Sequence, residues 1–415
     1  MRIGVVGLGY VGLPLAAAFA ASGADVVGVD VDRRRVEDVR AGRVVLHDTT
    51  LDEGALAGVE ATTDYAALCD AEAIVLCIPT PLTPNQEPDL APLLGAAHAL
   101  AGVLRAGQLV VLESTTFPGT TRERLAPILE GSGLRAGGDF HLAYSPERLD
   151  PGRDGHGLRT TPKIVAGLTP ACAHRAEALY ARVCDRIVPV STTDGAEFTK
   201  LLENIFRSVN IALVNELAVL ADRMGVDIWE VVDAAATKPY GFMSFKPGPG
   251  MGGHCLPVDP FYLSWRAREF GVACEFVELA GKVNQRMPEH CAARVQRALN
   301  DGGRAVRGAR VLVLGVAYKA GIPDTRESPA LAILDILGGL GAELAYHDPH
   351  VPRLPAAGLE SRELDEALAW ADVAVIVTAH PEVDHALVAQ RARLVVDLRG
   401  VTRDVPVASG SVVRL

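Results

Sequence analysis

The first thirty residues admit one local fold. Ile3-Gly4-Val5-Val6 is a short apolar run of strand length, and Gly7-Leu8-Gly9-Tyr10-Val11-Gly12 follows it without a spacer. Pro14 to Ser22 reads as a helix stopped by Gly23, and Asp25 to Val29 is a second buried run that ends at Asp30. Strand, glycine turn, helix, strand and acid, with Asp30 lying 18 residues past Gly12, form a dinucleotide-binding βαβ unit. The glycines let a pyrophosphate meet backbone N–H groups at the helix N-terminus. Asp30 can accept from the adenosine ribose hydroxyls, which favours NAD over NADP, and Arg35 lies close behind it. Ile3 to Ala24 carries no charge and is long enough to span a membrane. Its glycines and Pro14 fall in the nucleotide-binding pattern instead, so a soluble, cytoplasmic chain is expected.

At 415 residues the chain exceeds one ordinary domain. The formal net charge of −11 argues against nucleic acid or an acidic membrane as partner. Seven cysteines include no Cys-x-x-Cys pair, which fits reduced thiols and no metal site. Lysine is scarce, standing only at 163, 200, 238, 246, 282 and 319, so each one invites a question.

Further buried strands are expected at Ala73–Ile78, Leu109–Glu113 and His141–Tyr144. They end in the loops Pro79-Thr80-Pro81, Ser114-Thr115-Thr116 and Ser145-Pro146-Glu147-Arg148. In an open parallel sheet such loops line the ligand crevice, so Thr80, Thr115 and Glu147 all point at one site. From Asp194, with a capping arrangement to Glu197, the pattern becomes one helix running to Met224, and Gly225 stops it. At about 45 Å such a helix bridges domains or builds a dimer interface. A second helical stretch, Phe261 to Asn300, is expected to break near Gly271 and Pro288. From Arg310 a smaller βαβ sheet begins, with a helix starting at Ser328-Pro329; it lacks the glycine fingerprint, which points to a nucleotide site of another kind. The expected fold is α/β, with two Rossmann-like doubly wound parallel-sheet domains (1–193 and 304–415) joined by a central helical domain (194–303).

The run Gly250-Met251-Gly252-Gly253-His254-Cys255, with Asp259 four residues on, brings a thiol and a backbone free of side chains to one place. A thiol beside a hydride acceptor suggests oxidation past the aldehyde, through a thioester. A free thiol is only a few per cent ionised at pH 7, so Cys255 needs a cation such as Lys200 or a helix N-terminus near Pro257. Lys200 and Asn204 project side by side and can orient a hydroxyl and stabilise an oxyanion. Glu147 is a candidate general base.

These motifs, together with Tyr318-Lys319 and Asp324-Thr325-Arg326-Glu327-Ser328, resemble the UDP-glucose/GDP-mannose dehydrogenase family over essentially the whole chain. The resemblance implies that Cys255 is the nucleophile, that Lys200, Asn204 and Asp259 assist the first oxidation, that Thr115 positions water and cofactor, and that Glu147 hydrolyses the thioester. It implies NAD contacts from Gly7, Gly9, Tyr10, Val11, Gly12, Asp30, Arg35, Thr80, Thr115 and Arg326. UDP-sugar contacts would come from Glu147, Arg148, Lys200, Asn204, Phe245, Gly250, Gly252, Tyr318, Lys319 and Arg399. It also implies a homodimer or higher homo-oligomer. Within the family the likeness is nearest to UDP-N-acetylhexosamine enzymes of bacterial polysaccharide pathways, with UDP-N-acetylglucosamine the first expectation. UDP-glucose and the mannosamine and galactosamine epimers are the alternatives. Val258 stands where the glucose enzymes commonly carry lysine, and Pro151 where they carry a second glutamate; both point away from UDP-glucose. A two-electron β-hydroxyacid dehydrogenase shares the glycine turn and the Lys-x-x-x-Asn pair but has no use for Cys255. A non-catalytic nucleotide-sugar-binding protein would be expected to lose the nucleophile or its base.

Overall fold

The computed structural model describes residues 1–44, 51, 54–83, 85–148, 157–253, 259–406 and 411–415. They form two compact units, Met1–Asn204 with Phe261–Ala273, and Ile205–Pro260 with Cys274–Leu415.

The first unit is an eight-stranded sheet. Its strands are β1 (Arg2–Val6), β2 (Asp25–Val29), β3 (Val59–Thr62), β4 (Ala73–Leu76), β5 (Leu109–Leu112), β6 (His141–Tyr144), β7 (Lys163–Gly167) and β8 (Ile187–Pro189). They lie in the order β3-β2-β1-β4-β5-β6-β7-β8. All neighbours are parallel except β6 and β7, which pair antiparallel with Ala143 opposite Gly167. The order reverses between β1 and β4, which opens a crevice at their C-terminal ends. Helices α1 (Gly12–Ala21), α2 (Arg33–Arg40), α3 (Ala91–Ala101), α4 (Ala126–Leu129) and α5 (Pro170–Tyr180) cover the two faces. The strands are buried on both sides, Ile3, Val5, Ile74, Val75, Val110 and Val111 being fully inaccessible, as a parallel sheet between helices requires. The uncharged run Ile3–Ala24 is thus a strand, a turn and a ten-residue helix.

Helix α6 (Thr193–Met224) begins in the first unit and continues into the second. It ends where expected: Gly225 is left-handed (φ 69°) and the Val226 N–H bonds the Ala221 carbonyl. Its start differs from the expected capping box. Asp194 pairs outward with Arg122, and Glu197 turns inward to another loop. Among the described residues α6 alone has the length and hydropathy of a membrane span. In the second unit it packs as a core helix, with Val214, Ala218 and Ala221 against Trp229 of α7 (Ile228–Ala236).

Helices α8 (Asp259–Glu269) and α9 (Glu275–Asp301) follow. The expected break at Gly271 is present, but the one at Pro288 is not: Pro288 lies inside a continuous α9. Proline cannot donate to the carbonyl four residues back. Gly250 approaches that carbonyl, of Asn284, so closely that a Cβ there would lie 3.1 Å from the oxygen.

The second sheet contains β9 (Arg310–Leu314), β10 (Glu343–His347), β13 (Val373–Ile376), β14 (Val395–Asp397) and β15 (Val412–Arg414), parallel in the order β10-β9-β13-β14-β15. A two-stranded ribbon, β11 (Arg353–Leu354) and β12 (Leu359–Glu360), follows β10. Helices α10 (Pro329–Gly339), α11 (Leu364–Trp370) and α12 (His385–Arg391) pack on it. Helix α10 starts as the sequence suggests, Ser328 accepting from the Ala330 N–H with Pro329 at the first position. Six strands escaped the sequence reading: β3, β8 and β15 are edge strands of three or four residues, β11 and β12 have two residues each, and β7 opens on a buried lysine.

Candidate active site

In the first unit the glycine turn is shaped by its surroundings. Gly7 has φ 92°, and a Cβ on it would sit 2.3 Å from the Cys77 carbonyl oxygen; one on Gly12 would sit 1.8 Å from the Gly7 oxygen. A Cβ on Gly9 meets nothing within 4 Å, so open space lies where a pyrophosphate would approach. Val11 is the residue before α1, Tyr10 is exposed beside it, and no acidic side chain occupies the first turn of α1. Asp30 is buried and oriented: it accepts from the Leu8 N–H at 2.8 Å, the Asp32 N–H at 2.9 Å and Arg35 at 3.2 Å. Arg35 therefore leans on the acid rather than replacing it.

The loops after β4 and β5 are bonded together. Ser114 accepts from the Ile78 N–H, and Thr80 donates to the Thr115 carbonyl at 2.7 Å. Tyr262, fully buried on α8, donates to the Thr80 carbonyl. The loop after β6 carries Glu147, whose Oε1 accepts from the Arg148 N–H at 2.7 Å. Arg148 forks onto Glu203 of α6 at 2.6 and 3.2 Å and donates to the Pro162 carbonyl. Its guanidinium thus ties this loop to α6, the helix that carries Lys200 and Asn204. Lys200 is buried, one turn before the half-buried Asn204. Glu197, on the same helix, accepts from the N–H groups of Gly119 and Thr121 and from the Thr121 hydroxyl, at 2.6 to 2.8 Å. Burial pushes its carboxyl up to about 7 against these bonds. It pins the Thr115 loop to the Lys200 helix, a role that sequence reading missed; its only trace was an acid three residues before Lys200.

In the second unit, three glycines bring a loop against the strand-end residues of the second sheet. A Cβ on Gly252 would lie 2.7 Å from the Tyr318 Cβ, and one on Gly253 2.8 Å from the Tyr318 ring. Gly250 has φ 127° and Gly253 φ 94°. The Gly253 N–H bonds the Arg326 carbonyl, and the Arg326 side chain forks onto Asp324. Lys319 is half-buried beside Tyr318. Arg399, after β14, lies against Gly248, where a Cβ would come within 2.7 Å of its Nη1. Phe245, expected to touch substrate, packs edge-on to Phe206 at 5.9 Å and onto the α6–α7 core. Two buried asparagines that sequence reading passed over hold this loop. Asn215 accepts from the Gly248 N–H and donates to Asn284, and Asn284 donates to the Ser208 carbonyl. Asp259 is buried in the first turn of α8. Cys255, His254 and the helix start expected near Pro257 lie outside the described residues, as do Val258 and Pro151. The six described cysteines are free. Within the described residues His350, His380 and Glu382 come together, but both His380 nitrogens are engaged, by Asp348 and by the Gly321 N–H.

The chain matches the UDP-glucose/GDP-mannose dehydrogenase family in three segments: its NAD binding domain over residues 1–184, its central domain over 194–286 and its UDP binding domain over 312–404. It is 37% identical to the UDP-N-acetyl-D-mannosamine dehydrogenase of Pyrococcus horikoshii, over 98% of this chain and 97% of that one. It is also 37% identical to the UDP-N-acetyl-D-glucosamine 6-dehydrogenase of Pseudomonas aeruginosa, over 85% and 83%. The solved structure of the Pyrococcus horikoshii UDP-D-ManNAc dehydrogenase superposes with a TM-score of 0.91 at 35% identity, covering 100% of this chain and 99% of that one.

Proposed function

The chain belongs to the UDP-glucose/GDP-mannose dehydrogenase family, and from that premise we propose that it oxidises the C6 hydroxyl of a UDP-N-acetylhexosamine to the uronic acid. Residues 1–193 would hold NAD, 194–303 the helical centre and 304–415 the UDP group. The open space at Gly9, the acid-free first turn of α1 and the oriented Asp30 fit the pyrophosphate and ribose of NAD. Bound NAD would supply hydride acceptance, twice per sugar.

The chain's own residues do the rest. Lys200 and Asn204 orient the C6 hydroxyl, and a water held with Asp259 takes its proton as the aldehyde forms. The Cys255 sulfur adds to the aldehyde carbon while the thiol proton passes to the carbonyl oxygen, and loss of a second hydride from carbon, with that hydroxyl proton going to the water held with Asp259, leaves a thioester. Thr115 positions water, and Glu147 removes its proton as the new C–O bond forms and the C–S bond breaks, returning the thiol. Tyr318, Lys319, Arg326 and Arg399, with the 241–250 loop, contact the two nucleotides as the family resemblance implies. The observation that carries this reading is the line of bonded strand-end loops bearing Thr80, Thr115 and Glu147, tied by Arg148 and Glu197 to the helix of Lys200.

An N-acetylhexosamine rather than glucose is supported by the relatives' names and by Val258 and Pro151. The free cysteines favour the cytoplasm. Phe206, Leu213, Leu217, Leu220 and Met224 form an exposed heptad-spaced stripe on α6, which we assign to a homodimer; a monomer mass on sedimentation would remove that assignment. The function is tested by adding NAD and a panel of UDP-sugars, both N-acetylglucosamine and N-acetylmannosamine included. Two NADH per sugar are expected, with acid formation lost in Cys255→Ala while NAD binding persists. One NADH per sugar and a fully active Cys255→Ala would sink the thioester route.

A further inference from the structure

Beneath the Ser145–Arg148 loop lies a charge network with no part in the chemistry above. Lys163, the first residue of β7, is 3% exposed, and Glu113, just past β5, is fully buried. Their side chains form an ion pair, and Tyr180 donates to the other Glu113 oxygen at 2.6 Å. The ammonium also lies over the Tyr180 ring at 4.9 Å. Burying two charges costs several kcal/mol each, so such a pair gives little stability over an apolar one of the same shape and is better understood by what it positions. A second Lys163 N–H is aimed at the Pro146 carbonyl, 3.2 Å away.

That bond is one of three. Ser145 Oγ donates to the Ile164 carbonyl at 2.7 Å, and Arg148 Nη1 donates to the Pro162 carbonyl at 2.6 Å. The antiparallel β6–β7 register runs Ser145–Arg148 back along Pro162–Ile164, and Glu147 is the residue between two of these anchors. Burial works to lower the Lys163 pKa, but Glu113 and Glu147 overcome it and keep the group charged. The other titratable groups facing the network are Cys77, past β4, and Cys184, after α5.

We propose that Lys163, held by Glu113 and Tyr180, is a positioning residue that sets Glu147 for thioester hydrolysis through the Pro146 carbonyl. This rests on the reading of Glu147 as the hydrolytic base. A variant of Lys163 should therefore oxidise the sugar but release the acid slowly, so that the acylated Cys255 accumulates; a residue serving only the fold would slow all steps together.

The experiment is a single-turnover reaction with NAD and the UDP-sugar accepted in the panel, followed by NADH absorbance and intact protein mass. In Lys163→Met we expect the NADH burst to persist, acid release to fall by about tenfold or more, and the sugar-acyl mass to appear on the protein. Should that variant not fold, the pair Lys163→Gln with Glu113→Gln keeps the shape without the charges and is expected to show the same adduct. Acid release at the parent rate in either, or equal slowing of burst and release without adduct, overturns the proposal. Glu147→Gln is the reference. An adduct there but none in the Lys163 variants removes the positioning role alone. No adduct in Glu147→Gln removes the base assignment, and the role built on it.

Discussion

The crevice ends of the two sheets start alike and then diverge. Gly7 follows β1 at φ 92°, and its missing Cβ clears the Cys77 carbonyl at the end of β4; Gly315 follows β9 at φ 79° and clears the Thr378 carbonyl at the end of β13. An acid closes the neighbouring strand in each. Asp30 accepts from the N–H of Leu8, one residue past its glycine, and Asp348 accepts from that of Val316, one residue past Gly315. There the likeness stops. Helix α1 begins at Gly12, whereas α10 begins at Pro329 after a loop carrying Tyr318, Lys319 and Arg326. Asp30 has an arginine as neighbour, while Asp348 is sealed by the fully buried His380 and also bonds the Ala317 N–H. The same strand-end frame thus presents a helix N-terminus in one unit and a side-chain-bearing loop in the other, and its acid changes from the proposed ribose acceptor to an internal strut.

The largest effects should come from the shared glycines. Gly7→Ala and Gly315→Ala each drive a Cβ into backbone oxygen, at 2.3 and 2.2 Å. Each should cost about 3 kcal/mol or more, read as a fall in melting temperature. Gly9→Ala should fold normally and instead weaken NAD binding about tenfold, because its Cβ fills ligand space. Equal melting temperatures for all three variants would break the comparison.

Asp348 comes next. His380 and the backbone N–H groups outweigh burial and hold its carboxyl at about 2, below the ordinary 3.8. A folded pKa below the unfolded one gives stability that is complete above the unfolded value and is lost as pH falls through about 2. Asp348→Asn should therefore cost about 2 kcal/mol at neutral pH, with the gap to the parent closing between pH 4 and 2. A gap that stays constant over that range would contradict the strut.

The smallest effect on stability should follow from Asp30→Ser, about 1 kcal/mol for the lost Leu8 bond. Its signature is in cofactor use: KM for NAD should rise about tenfold while the preference over NADP narrows. An unchanged NAD-to-NADP ratio would remove Asp30 as the ribose acceptor.

Much of this frame is legible along the chain. The run from Ile3 to Asp30 specifies a strand, turn and helix because each element is set by neighbours within a few residues. The long helix to Gly225 and the Ser328-Pro329 start follow the same local logic. Phe245 shows where local pattern stops: an aromatic beside a glycine-rich loop reads alike whether it faces ligand or core, and its partly buried ring packs against Phe206 and the α6–α7 core. Pro288 misled because its rule is local, and the approach of Gly250 is not.

What sequence by itself determined is the pair of nucleotide-holding folds, the order of the candidate residues and the family. Which polar groups hold those residues in place was decided only on folding. Glu197 reaches Gly119 across 78 positions, Asn215 meets Asn284 across 69, and Lys163 meets Glu113 across 50. Periodicity records which face of an element is buried, but it carries no record of which distant carboxylate a buried donor will find. That choice belongs to strand order and register, which bring remote segments side by side.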